Sequence, residues 1–168
     1  MEFQEVINKR YSVRAYKPDE IPLEILHKIL EAARVAPTAC NNQSFKVFVI
    51  KTAVYKEELK KIYSQSWFVQ APYVIGICGI PGENWVRRDG KNYVDVDTAI
   101  VMDHIILQAT DLGLGTCWIG AFNPEAARKF LKLSTEMEPI AFTPLGYPAD
   151  KPGVKRRKSI EDLVYYIK

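Results

Sequence analysis

Gly113-Leu-Gly-Thr-Cys-Trp-Ile-Gly-Ala-Phe122 closes a long apolar helical pattern with two glycines, then runs into small and aromatic residues. Upstream, from Val94 to Leu112, the apolar positions Val101, Ile105, Ala109 and Leu112 repeat at helical spacing. That helix is apolar on more than one face, which predicts a central buried element. Thr116 to Ala121 then reads as a strand. Glycines in such a segment carry no Cβ, so the backbone can approach a flat ligand closely. The cluster comes before a strand, and no Gly-x-Gly-x-x-Gly links a strand to a helix, so a Rossmann architecture is excluded.

More than a hundred residues earlier, Arg10-Tyr-Ser-Val-Arg14 sets Arg10, Ser12 and Arg14 at a spacing of two. In extended backbone those side chains share one side, while Tyr11, Val13 and Ala15 face the other way, into protein. Two guanidinium forks and a hydroxyl form a face that suits a phosphate. Near the end of the chain, Lys155-Arg-Arg-Lys158 is a second phosphate-contacting candidate.

The remaining elements follow from periodicity and punctuation. Residues 2 to 9 form a short amphipathic helix with Phe3, Val6 and Ile7 on one face, and Pro18 breaks the chain. A core helix starts at Pro22, carries Leu26, Ile29, Leu30 and Ala33, and ends at Pro37. Phe45–Ile50 and Tyr73–Cys78 read as interior strands around a charged helical stretch from Glu57 to Tyr63. Gly79 to Asn92 is a long loop holding Trp85, Asn123-Pro124 starts a helix, and Ile140–Leu145 is a fourth strand. Ser159 and Asp162 resemble a capping box opening a last helix. The pattern predicts a single α+β domain over residues 1–168, with a mixed, largely antiparallel central sheet flanked by helices.

Composition narrows the function classes. Of the 168 residues, 48% are hydrophobic and 26% charged, an ordinary balance for a globular protein. No apolar run approaches the roughly 20 residues of a membrane span, and the first residues lack a basic segment followed by an apolar stretch. A cytoplasmic location without membrane contact is expected. The net charge of +3 is too small to imply nucleic acid, and neither zinc spacing nor an RNP-like aromatic strand is present. No metal site and no nucleic-acid partner are expected. Cys40, Cys78 and Cys117 are odd in number and form no Cys-x-x-Cys pair, which argues against a disulfide framework. Cys78 reads as a small buried hydrophobe, His104 as a core histidine at mid-helix, and His27 as solvated.

Four segments together resemble the nitroreductase-like family of FMN-dependent oxidoreductases, and the likeness covers nearly the whole chain. Arg10-Tyr-Ser-Val-Arg-Ala-Tyr16 resembles that family's Arg-x-Ser-x-Arg-x-Phe opening. Ala36-Pro-Thr-Ala-Cys-Asn-Asn-Gln43 is similar to its Ala-Pro-Ser-x-x-Asn-x-Gln loop. Gly113–Phe122 resembles its Gly-Leu-Gly-Thr-x-Trp-Ile-Gly segment, and Leu145-Gly-Tyr-Pro148 with Lys155 and Arg157 its ending.

The resemblance implies an intertwined homodimer with FMN at the subunit interface. Arg10, Ser12, Lys155 and Arg157 would hold the phosphate and ribityl chain, with Tyr11 beside them and Arg14 nearer the pyrimidine edge. The loop of Pro37, Thr38, Ala39, Asn41 and Gln43 would contribute Thr38, Asn41 and Gln43 from the partner subunit. Trp118, Ile119 and Gly120 would lie along the isoalloxazine, with the Gly120 backbone N–H aimed near N5. Arg14 and Gly120 are therefore the catalytic candidates: charge where the reduced ring is negative, and a donor where hydride enters.

The implied reaction has two steps, reduction of the flavin by NAD(P)H and then transfer of electrons to a nitroaromatic, quinone or similar small acceptor. Other flavin reactions on the same scaffold, namely reductive dehalogenation, flavin breakdown and ring dehydrogenation, stay open, as does FMN storage or sensing without turnover. The chain departs from many relatives at Ser44-Phe45, where they carry Pro-Trp, and at Gly120, where some carry Glu. Trp85, in the Gly79–Asn92 loop, is either an aromatic cover or a residue packed on its own subunit.

Overall fold

In the computed structural model, which describes residues 1–167, the chain runs as α1 (Phe3–Lys9), α2 (Leu23–Val35), β1 (Phe45–Lys51), α3 (Thr52–Ile62), β2 (Tyr73–Gly79), α4 (Val94–Asp111), β3 (Gly115–Thr116), α5 (Pro124–Leu131) and β4 (Glu138–Gly146). The strands form one sheet in the order β1-β2-β4-β3, every pair antiparallel. The parallel component is confined to an isolated bridge between Ser12 and Thr116.

Period-two alternation sends the sheet's side chains into two separate cores. Ile75, Ile77, Ala141 and Leu145 pack on one face against α2 and α4 through Ile29, Met102 and Ile105. Val74 and Phe142 point to the other face, where Leu59 and Ile62 of α3 and Ala127 of α5 cover them. The result is three layers with α4 buried along most of its length, as its apolar character on more than one face predicts. Among the described residues, no helix is long and apolar enough to cross a membrane.

Two expected elements are corrected. The strand expected over Thr116–Ala121 is only Gly115–Thr116, followed by a lone bridge between Ile119 and Phe142. Thr116 pairs with Leu145, so the next partner in that register would be Pro144, which has no N–H to donate. Cys117 N–H donates instead to the Thr143 hydroxyl at 2.9 Å, and the ladder breaks there.

The expected last helix is a single turn. Its capping box forms, with Ser159 N–H on Asp162 Oδ2 at 3.3 Å and Asp162 N–H on Ser159 Oγ at 3.2 Å. Ile160, Leu163 and Ile167 are nevertheless exposed, and a cap without a packed apolar face does not sustain so short a helix. At α5 the start signal holds: Asn123 accepts from Ala126 N–H at 3.1 Å ahead of Pro124.

Candidate functional site

The Arg10–Arg14 strip is held from below. Val13 is 1% exposed, and its N–H donates to Thr116 O at 2.9 Å. Tyr16, also buried, donates its hydroxyl to Val13 O at 2.9 Å. The alternation predicted from the sequence is therefore physical at Val13, and Arg14 emerges on the outer side. Its guanidinium donates to Ser12 O at 3.3 Å and lies 5.9 Å from the centroid of the half-buried Trp67 ring, a cation–π contact.

The chain returns alongside this strip after β4. Lys17 N–H donates to Tyr147 O and Ala149 N–H to Ala15 O, at 2.9 and 2.8 Å. Asp150 then accepts from Arg14 N–H at 2.8 Å and from the Tyr11 hydroxyl at 3.0 Å, while that hydroxyl also reaches Asp150 O at 3.0 Å. Desolvation first, and then the Asp150 hydrogen bond, push the Tyr11 phenol up to about 12.

Five residues further, Lys155 reaches back to donate to the carbonyl of Asn8. Its ammonium is held below the usual lysine range, by desolvation and then by the nearby positive charges of Arg10 and Arg157. None of the ion pairs among the described residues includes Arg10, Arg14, Lys155 or Arg157. Like charges gathered without an ion-pair partner repel one another, and an anion placed among them would relieve the repulsion. Beneath the cluster lies the buried Cys117 thiol, pushed up by desolvation and drawn partly back, first by the positive charge of Arg14. That balance does not describe an activated thiolate.

The glycines of the Gly113–Phe122 segment divide by role. Gly113 has φ +77° just beyond α4, and a Cβ on Gly115 would stand 2.5 Å from Val13 Cγ2. Both serve the chain's own turn and packing, not the approach of a ligand. Gly120 has neither a left-handed φ nor a close neighbour, the nearest atom to an added Cβ being Trp118 Nε1 at 3.7 Å. Trp118 is 40% exposed and Ile119 buried, with Ile119 N–H fastened to Phe142 O at 2.8 Å.

At the opposite end of α4 the Ala36–Gln43 loop is wound tightly. Cys40, Asn41 and Gln43 have φ of +52°, +57° and +53°, a region that side-chain-bearing residues rarely adopt. Asp97, 4% exposed in the first turn of α4, accepts Ala39 N–H with both carboxylate oxygens, at 3.0 and 3.1 Å. Thr38 Oγ1 accepts Gln43 N–H at 3.0 Å, and Asn42 and Ser44 both donate to Glu83 O. Strain this concentrated persists only where the surroundings over-determine it.

The model of the nitroreductase family matches residues 7–74 and 61–147 of this chain. The chain belongs to the nitroreductase family. A crystal structure of a nitroreductase family protein from Clostridium difficile 630 superposes with a TM-score of 0.90 at 36% identity, covering 100% of this chain and 99% of that one. Another, from Clostridium novyi NT, has a TM-score of 0.82 at 36% identity over 89% and 87% of the two chains. A Methanothermobacter thermautotrophicus protein, provisionally described as an NADH dehydrogenase/NAD(P)H nitroreductase, is 31% identical over 92% of this chain and 82% of its own. The FMN reductase [NAD(P)H] of Bacillus subtilis is 27% identical over 87% of this chain and 66% of its own.

On this nitroreductase scaffold the expected site residues fall into two groups. Arg10, Tyr11, Ser12, Arg14, Lys155 and Arg157 come together at the C-terminal end of α4, with the segment of Trp118, Ile119 and Gly120 leading on from β3. Pro37, Thr38, Ala39, Asn41 and Gln43 sit at its N-terminal end. From Asp97 to Asp111 the helix rises roughly 20 Å, so one chain holds its two groups far apart.

Three residues that position the site escaped the sequence reading: Trp67 under Arg14, Asp97 under the loop and Asp150 between the two basic segments. Each acts across 50 or more positions, and only three-dimensional pairing reveals it. Trp85 packs edge-on against Tyr93 at 4.9 Å, on its own chain. His104 bonds Ile100 O at 3.0 Å but is only half-buried and lines the groove between α1, α2 and α4, which corrects its reading as a core histidine, whereas Cys78 is fully buried as expected, its thiol pushed up to about 12 by desolvation. A cavity of about 1050 Å³ between α1, α2 and α4 includes neither group of site residues.

Proposed function

We propose that this chain is an FMN-dependent oxidoreductase that takes reducing equivalents from NAD(P)H and passes them to a nitroaromatic, quinone or similar small acceptor, acting as a homodimer. The observation that carries the reading is the cluster of Arg10, Lys155 and Arg157, none of which forms an ion pair with a carboxylate among the described residues. A phosphate monoester dianion fits that donor set, with Ser12 adding a hydroxyl. The similarity to the FMN reductase [NAD(P)H] of Bacillus subtilis supports both flavin and reductant, and that to the Methanothermobacter protein supports the reductant.

In this reading Arg10, Ser12, Lys155 and Arg157 hold the phosphate end, and Trp118, Ile119 and Gly120 lie along the ring. No hydrogen bond among the described residues takes the Gly120 N–H, which leaves it available as a donor. When bound, FMN supplies the hydride chemistry in two steps, reduction by the nicotinamide and oxidation by the acceptor. The protein's part would be electrostatic: Arg14, free of any carboxylate ion pair among the described residues and held over Trp67, would supply positive charge to the pyrimidine edge of a bound flavin. Tyr11 serves through Asp150, since its hydroxyl is already committed there.

The separation of the two groups along α4 supports pairing. Thr38, Asn41 and Gln43 complete a flavin site only if a second chain brings its own loop to the first chain's cations. The groove between α1, α2 and α4, with Phe3 and Val35 exposed at its edge, offers an apolar face for that contact.

Purified protein is expected to be yellow, and anaerobic mixing with NADH or NADPH in a stopped-flow instrument to bleach it. Colourless protein that takes up no added FMN overturns the proposal, and colour that neither nicotinamide bleaches favours storage over turnover. By light scattering, a stable monomer that keeps its FMN contradicts the shared site.

A further inference from the structure

Between the two basic segments stands a carboxylate whose charge is wrong for an anion site. Its hydrogen bonds to Arg14 N–H and the Tyr11 hydroxyl place Asp150 against the strip, beside the cations that a phosphate would meet. It forms no ion pair with them. Both its carboxylate oxygens are spent on the strip, Oδ2 on Arg14 N–H at 2.8 Å and Oδ1 on the Tyr11 hydroxyl at 3.0 Å, and its carbonyl takes that hydroxyl again at 3.0 Å.

Beyond Asp150, residues 151–158 have no regular structure and are exposed, and their one hydrogen bond back to the body is from Lys155 to Asn8. Asp150 is thus the last firm attachment before the two cations that complete the cluster. Resting on the flavin reading, we propose that Asp150 is a positioning residue: a clasp that aligns the Lys155–Arg157 segment with the Arg10–Arg14 strip and so sets the affinity for the phosphate of the flavin nucleotide. The clasp works through hydrogen-bond geometry, its charge being a cost that the site tolerates.

Asparagine and alanine separate shape from charge at this position. Asp150→Asn keeps an oxygen for Arg14 N–H and an amide that can donate to the Tyr11 oxygen, while Tyr11 still donates to the backbone carbonyl. Asp150→Ala keeps only that last bond. Flavin fluorescence titrations with FMN and with riboflavin, which lacks the phosphate, read the difference. Losing two hydrogen bonds in Asp150→Ala is expected to raise Kd for FMN about tenfold and leave riboflavin unchanged. Asp150→Asn is expected to stay within about threefold of wild type, and Tyr11→Phe to fall between the two variants.

Equal weakening of both flavins by Asp150→Ala, or no weakening of FMN, overturns the clasp. So does Asp150→Asn as weak as Asp150→Ala, because charge would then be the working property. Wild-type protein that binds neither flavin overturns the flavin reading instead. The clasp is then decided on flavin-free protein by trypsin cleavage after Lys155 and Arg157. Cleavage is expected to be about tenfold faster in Asp150→Ala than in wild type or Asp150→Asn, in proportion to the freed segment, and equal rates in all three overturn it.

Discussion

The two ends of α4 carry two kinds of stored energy. At the C-terminal end, Arg10, Lys155 and Arg157 crowd together in exposed or half-exposed positions, and the strain is electrostatic. At the N-terminal end, Cys40, Asn41 and Gln43 hold left-handed backbone over a buried aspartate, and the strain is conformational. The first would be relieved by a bound anion. The second is never relieved, only held, by Asp97 and Thr38 within the same chain. A binding site can therefore be prepared either by leaving charge unpaired or by locking shape in advance, and each leaves a different signature when disturbed.

The largest separation between the two ends is expected from removing charge. In the double variant Arg10→Ala/Lys155→Ala the phosphate loses two charge-assisted donors, so Kd for FMN is expected to rise at least about 100-fold. Flavin-free protein should barely notice, its Tm staying within about 2 °C of wild type because repelling surface charges have been removed. Titration and calorimetry on the same preparation check both halves. A clear fall in the flavin-free Tm would mean that these side chains hold the fold together and are not a prepared anion site.

At the locked end the sign pattern reverses. Asp97→Ala strips the acceptor from Ala39 N–H in a buried setting and leaves the loop without its anchor. Flavin-free stability is expected to drop by about 2 kcal/mol, or roughly 4–8 °C in Tm. Unchanged denaturation of this variant would show that the left-handed loop does not depend on α4.

Legibility followed the same divide. Val13, Ile105 and Asn123 were readable because periodicity or a cap ties each to its immediate neighbours, and burial at Val13 and the Ala126 bond to Asn123 match those readings. The four motifs pointed to the family, and the family match and the superposed structures agree. Asp97, by contrast, looks like any acidic residue in a first helical turn, and its bond to Ala39 spans 58 positions. Asp150 follows a proline-containing stretch with no local cue to its Arg14 partner. The C-terminal capping box was read correctly as a local bond pair, but local bonds alone do not extend a helix that lacks a packing face. The short β3 turned on the missing N–H of Pro144, which matters only once the register with Thr116 is known.

Arg14 lies between the two extremes, a charge fixed by packing on Trp67. Arg14→Ala is expected to slow flavin reduction by NAD(P)H about tenfold, one charge–charge interaction of about 1.4 kcal/mol in the barrier. FMN binding should survive, since the phosphate donors remain. Stopped-flow bleaching rates at saturating nicotinamide decide it, and wild-type rates would remove Arg14 from the chemistry.

The smallest expected effect tests the conformational strain directly. Cys40 is exposed, has φ +52°, and its side chain makes no hydrogen bond, so its Cβ contributes strain and nothing that offsets it. Glycine at this position removes a left-handed penalty of about 1–2 kcal/mol but adds freedom to the unfolded chain worth about 0.5–1 kcal/mol. Cys40→Gly is therefore expected to raise stability by about 0.5 kcal/mol, near 1–2 °C in Tm. Cys40→Ala keeps the Cβ and should leave Tm where it was. A rise of equal size in both variants would trace the gain to loss of the thiol, and would leave the loop's backbone unstrained at this position.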